Sequence, residues 1–141
     1  MIQPFKGWLA GVRDRFFGDT AGLIELLSSL ALLAWAEFFW SHPTIIYRDS
    51  YAAFQVAPIE LWITVFVLVG LGQVIANLFE HRWRHDLRWV AMACATGLWA
   101  IIALTFTLGE VSTTAERMYS LIAMVTAFAT VWLAWKSSPN T

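Results

Sequence analysis

Ionisable and amide side chains inside long apolar runs are the first place to look for chemistry, because keeping a charge or an unpaired amide away from water is costly. One such group is Glu25, a few residues into the first apolar run. The second run carries Gly70, Gln73 and Asn77 at i, i+3 and i+7, continued by Glu80 and His81. That spacing predicts a single polar stripe on a helix. If the two runs are antiparallel neighbours, counting along both puts Glu25 at the depth of Asn77. Glu25, Gln73 and Asn77 then form an intramembrane polar site. Such a trio holds a proton or cation if the carboxylate is free, or clamps helices together if the amides engage it. A single acid near the end of a run favours the clamp. On that reading Glu25→Gln removes a partly buried charge and leaves stability unchanged or higher.

Other chemistries find little support. His81 and His85 stand four apart beside Glu80, but they have no third strong ligand and sit among Arg82, Arg84 and Arg88. A zinc site needs more donors and less positive charge. Haem ligation needs a histidine within a span, and His42, His81 and His85 all fall at ends. No metal and no cofactor is therefore expected. Ser28, Ser29 and Ser120 lack a histidine in reach, and there is no G-x-S-x-G. Cys94 is flanked by apolar residues and reads as an inert packing group. Glu37, Glu60 and Glu110 lie where a carboxylate can reach water. No catalytic residue emerges, so the chain is not expected to be an enzyme. Arg82, Arg84 and Arg88, with Trp83 and Trp89 between them, suit contacts to anionic lipid head groups besides setting topology.

The elements that must position these groups follow from composition. Of 141 residues, 59% are hydrophobic and 13% charged; a soluble domain averages about 25% charged. The net charge of −1 excludes a general nucleic-acid binder, which needs a basic surplus. Four runs, 21–40, 59–79, 87–108 and 115–135, are long and apolar enough to span a bilayer. None contains proline; Pro4, Pro43, Pro58 and Pro139 all lie outside. A soluble four-helix bundle would need a polar face on every helix, and the third run has almost none between Val90 and Leu108. Ahead of the runs, Phe5, Trp8, Leu9, Val12 and Phe16 recur at helical spacing among Lys6, Arg13, Asp14 and Arg15. The expected fold is an all-α membrane protein. It has four transmembrane helices in an up-down bundle within 19–141, preceded by a short N-terminal amphipathic interfacial helix within 1–18. Ala34-Trp35-Ala36 has the form of a signal-peptide cleavage site. The long lead and Glu25 within the apolar run argue against cleavage.

Orientation follows from basic residues in short loops. Lys6, Arg13, Arg15, Arg82, Arg84, Arg88 and Lys136 fall on one side, against Arg48 and Arg117 on the other. Both termini are therefore expected to be cytoplasmic. Association is suggested by small residues at helical spacing: Ala93, Gly97 and Ala100 on the third run, and Ser120, Ala123 and Ala127 on the fourth. Small faces let helices approach closely in lipid. They either close the bundle or join copies of it.

An amphipathic start, several tight spans and small-residue faces in a short chain resemble, in layout, the small multi-pass bacteriophage membrane proteins of the holin type. The resemblance covers the whole chain and rests on no motif; the tail from Lys136 lacks the dense basic cluster common in that group. It implies an oligomer in a bacterial inner membrane that acts by helix–helix assembly to form a pore or lesion. A non-catalytic factor binding another membrane protein, as in superinfection exclusion or as an accessory subunit, shares most of these features. An oligomeric ion- or proton-coupled transporter using Glu25 is the third reading. The lipid bilayer, and either the chain itself or another membrane protein, are the expected partners, with no nucleic acid.

Overall fold

The computed structural model describes residues 20–78, 84–108 and 114–137. Within them are four long helices: α1 (Thr20–Ser41), α2 (Ile59–Leu78), α3 (Arg84–Thr107) and α4 (Thr114–Ser137). The described residues contain no strand. At 20 to 24 residues each, they measure about 30–36 Å along the axis, enough for the hydrocarbon of a bilayer. All four are apolar enough to cross one, with a mean hydropathy of 1.6 to 2.0. The chain is thus compatible with an integral, multi-pass membrane protein. The runs read from the sequence match the helices to within a few residues, the largest difference being α3, which begins at Arg84. The expected interfacial helix of 1–18 lies outside the described residues, as do Glu80, His81, Arg82, Trp83 and Glu110.

Helices consecutive in sequence are neighbours in space, while α1 and α4 meet far less extensively. Glu25, near the start of α1, meets Asn77 near the end of α2 and Arg88 near the start of α3. This defines a charged end of the bundle. The opposite end is aromatic. Trp35 sits among Phe39, Phe54, Phe66 and Tyr119, with ring centroids 5.5–6.3 Å away.

The connection between α1 and α2 helps build that aromatic end. Pro43 starts a short 3-10 segment, Pro43–Tyr47, and a second follows over Asp49–Val56. Together they fold Ile46 and Phe54 inward, where both are buried. The Trp62 indole N–H donates to the Phe54 carbonyl at 2.8 Å, and the two rings meet edge to face at 5.0 Å. Such pairs add about 0.5–1.5 kcal/mol beyond area burial.

Helices α1 and α2 approach closely at Gly70. A Cβ there would stand 3.1 Å from the Leu33 side chain and 3.2 Å from the Ser29 carbonyl. With no Cβ in the way, Ser29 Oγ donates to the Gly70 carbonyl at 2.7 Å. The small residues picked from sequence divide into two groups. Ser120, Ala123 and Ala127 on α4 are half-buried, and on the same helix Thr130 pairs with Thr96 of α3 at 3.0 Å. On α3, Ala93 is half-buried, whereas Gly97 and Ala100 face outward. Open space surrounds the position of a Gly97 Cβ.

Candidate functional site

The charged end contains a buried polar cluster contributed by three helices. Its centre is the Glu25 carboxylate, 2% exposed. The Arg88 guanidinium, 4% exposed, lies against it: Nε is 3.0 Å from each carboxylate oxygen, and a terminal nitrogen is 2.9 Å from Oε2. The Asn77 side-chain amide donates to the same Oε2. One turn earlier on α2, the Gln73 amide nitrogen points at the Met92 sulfur, 3.1 Å away. Nearer the middle of the bundle, the Trp99 indole N–H donates to Ser28 Oγ at 2.9 Å. Each of these links joins two different helices.

Helical periodicity places these groups. Arg88, Met92, Ala95, Trp99 and Ile102 recur at i, i+4, i+7, i+11 and i+14, and all five are buried. Arg88 is thus the first member of the core face of α3. On α1, Glu25, Ser28, Ser29 and Leu32 occupy the corresponding face, and on α2 Phe66, Gly70, Gln73 and Asn77 do so.

The three residues assigned from sequence, Glu25, Gln73 and Asn77, are all buried at this end. Glu25 and Asn77 are in contact; no bond between Gln73 and Glu25 accompanies it. Arg88 corrects the sequence reading. It was expected at lipid head groups, but its guanidinium turns inward to the carboxylate. Burying a lone carboxylate costs several kcal/mol, and an adjacent cation held in hydrogen-bond geometry offsets that cost. Trp89 is half-buried and packs on the cluster of Ala21, Met92, Ala129 and Leu133. Arg84 opens α3. Arg82 and Trp83 lie outside the described residues.

Chemically, the arrangement is a neutralised clamp. Both carboxylate oxygens face donors, so the acid is not presented as a free base. Among the described residues, no three His, Cys, Asp or Glu side chains come together as a metal site would require. No family model matches the chain, and neither the curated proteins nor the solved structures contain a significant match.

Proposed function

We propose that the chain is a non-catalytic membrane protein that acts by assembly within the bilayer, its helices in an up-and-down arrangement with both termini cytoplasmic. The outward placement of the small-residue stripe on α3 carries this reading. Cys94, Gly97 and Ala100 are exposed, and open space surrounds Gly97. The close approach inside the bundle is met by Gly70 instead. A stripe of small residues left over from internal packing suits the contact of one helix with another in lipid, where backbone proximity drives association.

The same geometry bears on the kind of assembly. A water-lined lesion, as in the holin-like reading, needs polar groups on an outward face. Here the buried polar side chains Glu25, Ser28, Ser29, Gln73, Asn77, Arg88, Thr105 and Thr126 face inward. That favours a membrane factor that packs laterally over one that opens a conduit. The engagement of Glu25 by Arg88 likewise argues against a coupling carboxylate of a transporter.

Cys94 is a native reporter on the α3 face. Mild oxidation of the protein in vesicles at low protein-to-lipid ratio should yield a disulfide-linked dimer. Gly97→Leu should abolish it, and the membrane potential of expressing cells should stay intact. Absence of any cross-link, with Gly97→Leu also without effect on cell phenotype, would defeat the assembly reading. Collapse of the potential on expression would favour the lesion former.

A further inference from the structure

Beyond the ion pair, the cluster holds two buried side-chain oxygens that make no hydrogen bond, Gln73 Oε1 and Asn77 Oδ1. Their residues are 2% and 0% exposed and lie one turn apart on the core face of α2. An orphaned carbonyl is uncommon in a protein interior, and each one costs a desolvation penalty. Rotating the amides does not remove the problem. Asn77 is fixed by Glu25, because only its nitrogen can face a carboxylate. Turning Gln73 over would set its oxygen against the Met92 sulfur and leave an N–H pair orphaned in place of the oxygen. Either way the site lacks a partner.

We infer that one water molecule is bound between Gln73 and Asn77, beside the Glu25–Arg88 pair, and completes the clamp. Two acceptors one helical turn apart, with side chains on the same face, match the two O–H donors of a single water. A buried water characteristically bridges polar groups that the protein leaves unsatisfied. The charge balance selects water over a cation. The Arg88 guanidinium already lies against both oxygens of Glu25, so an added sodium or potassium ion would set a second positive charge beside it. Water also serves either orientation of the Gln73 amide, whereas a cation serves only one. The position is shallow enough to fill: Asn77 stands one residue from the end of α2 and Arg88 within the second turn of α3.

The test uses the full chain in lipid vesicles with nitrogen-labelled Asn, Gln and Trp side chains. Magnetisation transfer from water should reach the Asn77 and Gln73 amides sooner than the Trp99 indole, which is buried against Ser28. Transfer to these amides no faster than to the Trp99 indole would overturn the proposal. Gln73→Met then reads the sign of the energetics. If water bridges the pair, the variant strands Asn77 Oδ1, and the thermal midpoint falls by a few degrees. If the site is dry, the variant exchanges the weak Met92 sulfur contact for the loss of an orphan oxygen, and the midpoint holds or rises, which overturns the proposal. A midpoint for the unmodified protein that is equal in sodium chloride and choline chloride supports water. A rise specific to sodium overturns it in favour of a cation site. If Gln73→Met fails to fold, the transfer measurement on the unmodified protein decides.

Discussion

Replacing Arg88 with methionine keeps an unbranched stem and removes the guanidinium. Glu25, 2% exposed, keeps the Asn77 amide but loses the cation that lies against both of its oxygens. Breaking a buried pair by deleting one partner costs about 3–5 kcal/mol. We expect a loss of about 3–4 kcal/mol at pH 7. Glu25→Gln is predicted to cost less. Guanidinium does not deprotonate, but it can snorkel from the second turn of α3 to the nearby interface. The expectation from sequence that Glu25→Gln is free of cost leaves out Arg88, which faces the carboxylate. The double variant Glu25→Gln with Arg88→Met removes both charges and should recover most of the loss. Reversible unfolding in mixed micelles at pH 7, followed by tryptophan fluorescence, measures all four proteins. An Arg88→Met protein within about 0.5 kcal/mol of the parent, the size of an exposed substitution, would refute the clamp. A double variant no more stable than Arg88→Met would do the same.

The glycines give opposite outcomes under one substitution. Gly70→Ala places a Cβ 3.2 Å from the Ser29 carbonyl and should cost about 1–3 kcal/mol as overpacking, whereas Gly97→Ala meets open space and should be neutral or gain up to about 1 kcal/mol of helix propensity; thermal scans of the pair compare them directly. Trp99→Phe keeps a ring stacked on Tyr119, where the centroids are 6.1 Å apart, but removes the N–H donor to Ser28 Oγ, for an expected loss of about 0.6–2 kcal/mol in the same scans. Burial raises the pKa of Tyr51 above its ordinary value, with Arg48 pulling the other way. The folded chain therefore disfavours the phenolate, so the stability Tyr51 contributes is present below its unfolded pKa, about 10, and is lost as pH climbs through the higher folded value; phenolate absorbance and unfolding followed together above that pH check it, and Tyr51→Phe should remove the effect. For topology, a cysteine placed at the exposed Ser50 should label from outside the cell and one at Ser137 should not; the reverse pattern would invert the orientation.

The four long helices were legible because apolar runs of about 20 residues with at most two charges have few other meanings. The meeting of Glu25 with Asn77 was legible by counting residues from the ends of two neighbouring helices. Arg88 was not read, for a definite reason. It sits beside Arg82 and Arg84, so it was grouped with a topology-setting loop, although its i+4, i+7 and i+11 partners Met92, Ala95 and Trp99 mark it as a core position. The buried Ile46 and Phe54 were missed because a connection between spans carries no periodic signal; two prolines and a cluster of apolar residues were the only cue. The small-residue faces were visible, but sequence does not tell which of them the bundle itself consumes.

The two ends of the bundle are held by different kinds of force. At one end, directional bonds at 2.7–3.0 Å join Glu25 to Arg88 and Ser29 to Gly70. At the other, rings around Trp35 and Tyr51 meet at 5.5–6.4 Å between centroids, with the Trp62 N–H bond to Phe54 beside them. Between α1, α3 and α4 this end also carries an open hollow of about 360 Å³ beside Trp35, Phe106 and Tyr119. The two ends therefore answer to different changes in the chain: removing a charge at Glu25 or Arg88 strands a buried partner at one, while trimming ring area at Trp35 or Phe39 opens the packing at the other.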